Sequence, residues 1–298
     1  MFRIEVPATS ANLGAGFDTL GLALSMKNEV YMDFADEIKI ESFDEKADIP
    51  KDETNLIFKT AKHLFSLKGK DLKGLYIKQK DQIPMARGLG SSSACIVAGL
   101  FGANALMGEP FSKDELALIA AKLEGHPDNV APAVYGGVVA SIVTENKLYK
   151  IKNDLKDDLS FNVVIPDFEL ETSKARAVMP KEIPHKDAVF NLGRAALIVM
   201  SLANGQYENL KIAAEDKLHQ PYRLSLIKGA EEIFKKAYDL GAYCAYISGA
   251  GSSLMAITKK SDKSFSKEMR SFLDQNGYRN YKLVSLCANN DGALVEKL

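Results

Sequence analysis

The sequence predicts an α+β protein of two domains, and three observations carry that prediction. Strand-like and helix-like segments mix in both halves of the 298-residue chain, with no solenoid repeat. No Gly-x-Gly-x-x-Gly opens a strand–turn–helix unit, which disfavours a doubly wound dinucleotide-binding sheet. A charged stretch, Lys152–Asp158, separates the halves and sets domains of residues 1–152 and 153–298. The length suffices for two cores.

The elements follow in order from periodicity and punctuation. Arg3–Pro7 alternates and reads as a strand, as do Leu20–Leu24, Asn28–Phe34 and Glu37–Phe43. Thr54 is positioned to cap a helix whose apolar face is Ile57, Phe58, Ala61, Leu64 and Phe65, and Gly69 ends it. Leu75–Gln79 is a strand feeding a Gly/Ser loop, and a helix follows to about Met107. Ser112-Lys113-Asp114-Glu115 is a capping box opening a helix that carries Leu116, Ile119, Ala120 and Leu123. Gly125 and Pro127 terminate it. Tyr135–Val143 reads as a strand, with a turn at Thr144–Lys147.

In the second half, Phe161–Ile165 is a strand, Ala188–Leu202 a long helix, Leu210–Lys217 a short helix and Leu224–Leu240 a longer one. Cys244–Ile247 and Ser253–Thr258 read as strands around a small-residue loop. Phe265–Leu273 is helical, and Lys282–Cys287 and Ala293–Glu296 are the last strands.

Bulk composition narrows the function classes. The chain is 46% hydrophobic and 26% charged, which is a globular composition. Its 38 basic and 39 acidic residues leave a net charge of −1, so no overall field favours nucleic acid or an anionic membrane. Cys95, Cys244 and Cys287 are odd in number and fit no metal spacing, so they read as buried thiols of a reducing compartment. Met1–Pro7 holds no apolar signal-peptide core, and Ala195–Ala203 is too short to span a bilayer. The expected location is the cytoplasm.

The chemistry concentrates in the run Pro84-Met85-Ala86-Arg87-Gly88-Leu89-Gly90-Ser91-Ser92-Ser93-Ala94. A Gly-rich turn emptying into a helix N-terminus offers N–H groups and partial positive charge to an anion. It lacks the Gly-Lys-Ser/Thr ending of a P-loop. An ordinary Gly/Ser turn with a seryl N-cap is the plainer alternative.

Other clusters surround it. Ala8–Asp18 places small residues around Asn12 and Asp18, a pattern that suits a ligand loop or a tight Asx turn. Glu124 ends a helix just before His126, Asp128 and Asn129. A carboxylate there suits Mg2+, which prefers hard oxygen donors. Thr172 and Arg176 are four apart, hence on one helical face, and Arg223 is a further guanidinium for a carboxylate. Isolated arginines are, however, common on surfaces. Ser248–Ser253 is another loop that could approach a ligand closely.

Together these clusters resemble the GHMP family of small-molecule kinases, which joins galactokinase, homoserine kinase, mevalonate kinase and phosphomevalonate kinase. The blocks that carry the resemblance are Pro7–Asp18, Pro84–Ala94 and Ser248–Ser253, in that order. The homoserine kinase branch is nearest, through Ser10-Ala11-Asn12-Leu13-Gly14 and His126-Pro127-Asp128-Asn129-Val130. No lysine precedes Ser10, and Asn129 stands where other branches place an aspartate, which counts against mevalonate as substrate; the alternative is another kinase of the family, such as one acting on mevalonate or phosphomevalonate. Ser252 replaces the proline usual in the last block.

The resemblance implies a ribosomal-protein-like first domain with a left-handed crossover, a ferredoxin-like second domain, and ATP in the groove between them. It implies that Asn55 meets the adenine, that the loop Pro84–Ala94 holds the nucleotide, and that Ser91, Ser92 and Ser93 attend the phosphates. Mg2+ would be held by Glu124, with Ser92 or Ser93 and Thr172 close by. L-Homoserine would place its ammonium on Asp18 and its carboxylate on Arg176 and Arg223, with Asn12, His126 and Asn129 positioning the rest. Asn129 or Arg176 would orient the nucleophile, without a carboxylate base. A homodimer is the assembly the resemblance suggests. The contrasting expectation, an RNA-binding module on the first domain, finds no support in the net charge.

Overall fold

A long antiparallel hairpin opens the chain in the computed structural model, which describes residues 1–45 and 48–298. β1 (Phe2–Ala11) pairs with β2 (Leu20–Phe34), with a bulge at Pro7/Ala8. Pro7 faces Lys27 and Ala8 faces Leu24, so Ser25 and Met26 are unmatched. The two strands expected over residues 20–34 are therefore one strand crossing a bulge. β1 also runs further than expected and takes Thr9 and Ser10 into the sheet.

β3 (Ile38–Ser42) lies parallel to a later strand, with α1 (Leu56–Ser66) as the crossover to β4 (Leu75–Lys80). Asn55, not Thr54, caps α1: its Oδ1 accepts from the N–H groups of Ile57 and Phe58 at 3.0 and 3.3 Å. Thr54 turns back to Asp52 instead. α2 (Ser91–Leu106) follows the Gly/Ser loop, and α3 (Lys113–Glu124) carries the expected capping box. α4 (Val130–Tyr135) occupies the start of what the sequence suggested was strand. Gly136 and Gly137, both at positive φ, end it before β5 (Val138–Val143). β6 (Leu148–Asn153) pairs with β5 and was not anticipated, because lysines and an exposed Ile151 obscure its alternation at the sheet edge.

The second half begins with β7 (Leu159–Ile165), α5 (Thr172–Ala177) and α6 (His185–Asn204). Short helices α7 (Leu210–Ala213) and α8 (Gln220–Arg223) precede α9 (Ala230–Asp239). The helix expected from residue 224 starts only at 230, because Gly229 takes a left-handed φ of +76°, where a Cβ would collide with the Tyr278 ring. β8 (Cys244–Ile247), β9 (Leu254–Lys259), α10 (Phe265–Gln275), β10 (Lys282–Leu286) and β11 (Leu294–Lys297) complete the chain.

Two sheets result. The second has the order β10-β7-β9-β8, all antiparallel, which is the ferredoxin-like arrangement of a split β-α-β-β-α-β unit. The first runs β11-β1-β2-β4-β3, with β5 and β6 attached beside the start of β2. The boundary expected at residues 152/153 does not separate the sheets cleanly, since β11 returns to pair with β1. α1 and α2 cover the first sheet with Phe58, Leu64, Val97 and Leu100, all buried. α9 and α10 cover the second with Ile233, Phe265, Met269 and Leu273. The three cysteines are free; Cys244 is buried, whereas Cys95 and Cys287 are partly exposed. Among the described residues no helix is long and apolar enough to cross a membrane.

Candidate active site

The Gly/Ser loop sits where the first sheet meets the second domain. Gly88 and Gly90 take φ +72° and +73°. A Cβ on Gly88 would fall 2.1 Å from the Ser248 carbonyl oxygen, and one on Gly90 2.0 Å from Thr9 Oγ1. Only glycine meets both demands of close approach and left-handed backbone. α2 then starts at Ser91 without a side-chain cap. Its first-turn N–H groups have no intrahelical acceptors, which makes them donors for an anion.

The second domain holds this loop in place. Leu170 N–H donates to Ala86 O at 2.9 Å, Ser253 N–H to Arg87 O at 3.1 Å, and Ser248 Oγ–H to Gly88 O at 2.7 Å. The Arg87 guanidinium donates to the carbonyls of Met85, Pro166 and Asp167 at 2.9–3.1 Å. Arg87 therefore clamps the two domains together, and its Nη1 also pairs with Glu169 at 3.4 Å.

A cleft of about 340 Å3 lies against the loop. It gathers Ala86, Arg87, Gly88, Gly90, Ser91 and Ser92 with Asn12, Asp18, Glu124, His126, Asn129, Thr172, Arg176 and Arg223. Other expected nucleotide residues are elsewhere. The Asn55 side chain is buried and fully committed: it caps α1 and donates to Pro50 O and Gln79 Oε1 at 2.9 and 2.8 Å. It has no hydrogen-bonding capacity left for an adenine. Leu89, Ser93 and Ala94 are buried in the interior, outside the cleft lining. Pro84 and Met85 line a separate groove with Met26 and Asp167.

At one end of the cleft Ser92 Oγ donates to Glu124 Oε2 at 2.9 Å. Thr172 begins α5 on the facing wall. An all-oxygen donor set with one carboxylate fits Mg2+ carried in with a nucleotide.

The other end is charged on both signs. Asp18, at φ +55°, pairs with Arg176 through Nη1 and Nη2 at 3.1 and 2.7 Å. The two residues expected to take opposite ends of an amino acid thus bind each other here. Asn12 bridges the domains, accepting from Asp18 N–H at 3.0 Å and donating to Gly249 O at 2.9 Å. His126 Nδ1 lies 2.6 Å from the buried Asp128 carboxylate. That hydrogen bond raises the imidazole pKa above its ordinary value, against the opposing pull of burial. Asn129 accepts from Thr9 Oγ1 at 2.7 Å and donates to Asp128 at 3.3 Å. Donor atoms of Asp18, His126 and Asp128 approach one another, yet these hydrogen bonds already engage them.

Arg223 is the largest fully buried side chain. It donates to Ala175 O, Gly249 O and His219 Nδ1 at 3.2, 3.1 and 3.3 Å. No carboxylate forms an ion pair with it among the described residues. Burial, aided by Arg176, pulls its pKa down to about 10, so it is still a cation at neutral pH. The Phe17 ring faces the guanidinium groups of both Arg176 and Arg223, at 5.4 and 5.2 Å.

Sequence reasoning missed Thr9, Asp216 and His219. Asp216 accepts from the N–H groups of His219 and Gln220 at 2.9 and 2.6 Å, just before Pro221.

Comparison with known proteins now bears on this cleft. The GHMP kinases N terminal domain matches residues 55–137, and the GHMP kinases C terminal domain matches residues 198–275. A homoserine kinase of Clostridium beijerinckii is 46% identical, covering 99% of this chain and 98% of its own. The chain belongs to the GHMP kinases, in their homoserine kinase branch. A homoserine kinase of Caldicellulosiruptor saccharolyticus is 43% identical over 99% of this chain and 96% of its own. The crystal structure of the Cytophaga hutchinsonii homoserine kinase superposes with a TM-score of 0.87 at 29% identity, covering 99% of this chain and 97% of that one. A Methanococcus jannaschii mevalonate kinase, at TM-score 0.71 and 15% identity, shares the fold. As a GHMP kinase the chain is an ATP-dependent phosphotransferase.

Proposed function

We propose that the chain transfers the γ-phosphoryl group of ATP to the hydroxyl of L-homoserine, giving ADP and O-phospho-L-homoserine for threonine biosynthesis. One observation carries the choice of substrate: Arg223 is a buried guanidinium at the cleft wall, without a carboxylate partner, beside the Asp18–Arg176 pair. A buried charge without an ion-pair partner is unfavourable, even with the carboxylates of Asp18, Asp216 and Asp128 in its field, so the cleft suits an anion at this point. A zwitterionic amino acid supplies that carboxylate and also an ammonium for Asp18. Its two charges replace the internal pair, ammonium on Asp18 and carboxylate on Arg176 and Arg223.

The backbone N–H groups at the start of α2 and the hydroxyls of Ser91 and Ser92 take the phosphates. Ser92, Glu124 and Thr172 would hold Mg2+, which when bound neutralises charge on the phosphate oxygens. The Asn129 amide has one N–H left after serving Asp128, and it orients the substrate hydroxyl. The homoserine oxygen bonds to the γ-phosphorus as the bond to the β–γ bridging oxygen breaks. The hydroxyl proton goes to a γ-phosphate oxygen, a route that a loose transition state permits. His126, held by Asp128, lines the same end of the cleft and shapes it around the amino acid.

The reading extends to a homodimer, supported by exposed Val189, Leu192 and Met200 on α6, and to a cytoplasmic location, supported by the free thiols. Sedimentation checks the first. The substrate is tested by ADP release with Mg-ATP against homoserine, mevalonate, phosphomevalonate, shikimate and galactose. A phosphoryl mass gain on homoserine alone is expected. A gain on mevalonate, or none on homoserine, overturns the assignment.

A further inference from the structure

We infer that His219 is a positioning residue, whose imidazole fixes Arg223 in the orientation that receives the substrate carboxylate. The inference rests on the homoserine reading of the cleft.

His219 is completely buried, and its ring nitrogens have different partners. Nε2 lies 2.7 Å from the Gly14 carbonyl oxygen, which can only accept, so Nε2 carries the hydrogen. Nδ1 is then the lone-pair nitrogen, and Arg223 Nη1 donates to it at 3.3 Å. Burial holds the ring below its ordinary pKa, outweighing the Asp216 carboxylate 3.6 Å from Nε2. A protonated ring would present two donors and repel Arg223.

The surroundings fix the ring from every side. Asp216 accepts from the His219 N–H at 2.9 Å, and its other oxygen accepts from Asn191 Nδ2 at 2.5 Å. Phe17 stacks on the imidazole with centroids 5.2 Å apart. The same Phe17 ring faces the Arg223 guanidinium. Arg223 is otherwise held by the carbonyls of Ala175 and Gly249 and by the Met179 sulfur, to which Nη2 donates at 3.4 Å. His219 thus provides the one nitrogen acceptor for a guanidinium that must stay aimed at the cleft while empty. A residue needed only for packing would not require this acceptor.

Two amide substitutions separate the ring's functions. His219→Asn keeps an oxygen acceptor where Nδ1 stands. His219→Gln keeps a donor toward Gly14 and removes the acceptor facing Arg223. Steady-state kinetics are measured for both, with thermal melting to confirm folding. His219→Gln should raise the KM for homoserine about tenfold or more, as for one lost hydrogen bond to a charge. Its KM for Mg-ATP should stay within about twofold, and His219→Asn should recover most of the homoserine KM. If His219→Gln melts below the assay temperature, His219→Met replaces it with the same expected outcome. An unchanged homoserine KM, an equal rise in both KM values, or no difference between Asn and Gln overturns the assignment. If the unsubstituted protein forms no phosphohomoserine, the substrate reading fails and takes this one with it. If it does, the variants judge His219 alone.

Discussion

On the proposed reading, the nucleotide end of the cleft offers its ligand backbone, and the alcohol end offers side chains. Gly88 to Ser92 offer N–H groups whose direction is set by two left-handed glycines and a helix start. Asp18, Arg176 and Arg223 come from three separate parts of the chain and offer full charges. A backbone site accepts any suitably shaped polyphosphate, so it can serve many kinases unchanged. A side-chain site is rebuilt by single substitutions, so it can choose the alcohol. The fold itself is shared with a Methanococcus jannaschii mevalonate kinase at 15% identity.

Substitutions can break or sharpen this contrast. The largest effect is expected for Arg223→Met, which removes the buried charge. Loss of about 2–5 kcal/mol of carboxylate binding predicts a fall of a few hundred-fold in kcat/KM for homoserine. The KM for Mg-ATP should change little, and steady-state kinetics with each substrate varied will show whether the two ends are separable. Gly88→Ala should do the reverse. Its Cβ meets the Ser248 carbonyl at 2.1 Å, displacing the loop, and roughly 100-fold is the scale of such a misplacement. Titration of a non-hydrolysable ATP analogue reads the nucleotide end directly; undiminished affinity would contradict the backbone account.

Asp18→Asn comes next. Its ion pair with Arg176 is partly solvent-exposed, with 34% and 39% of the side chains accessible, so its contribution to stability is small. The expected result is a homoserine KM raised roughly tenfold with a melting temperature within a few degrees of the parent. A large melting shift would make the pair a fold element and not a substrate element.

The smallest effect concerns pH. The pKa of His126 is raised, first by its hydrogen bond to Asp128. That contribution to stability is fully present below the ordinary histidine value and is lost as pH rises through the raised one. The melting-temperature gap between the parent and Asp128→Asn should therefore be widest near about pH 5.5 and narrow toward about pH 8.5. A gap that does not vary with pH would mean that packing, and not the imidazolium, makes the difference.

What the sequence disclosed follows the same division. The Gly/Ser loop and the helix it opens were legible because their determinants are neighbours: Gly88, Gly90 and three serines at a helix start. The capping box of α3 was legible for the same reason. Asp18, His126, Asn129, Arg176 and Arg223 stand out in their local clusters, but only the resemblance to a family gave them roles, since nothing local distinguishes a buried arginine from a surface one. Their mutual pairing was not foreseen, because the Asp18–Arg176 contact joins residues far apart in sequence. A capping asparagine and a ligand asparagine look alike in sequence, and only hydrogen-bond accounting shows that the Asn55 side chain is engaged within the fold. His219 carries no motif at all. Its importance comes only from the nitrogen it turns toward Arg223.

The return of β11 to β1 has a topological meaning. All the residues that line the cleft precede position 252, so a fragment stopping short of Leu294 would retain every chemical group of the site. It would nevertheless lose the register from Phe2↔Lys297 to Glu5↔Leu294 and leave β1 as a bare edge, open to pairing with other chains. The first domain is thus discontinuous in sequence: its sheet closes only after the second domain has been traversed, and the two units are stitched as a loop and not strung as beads.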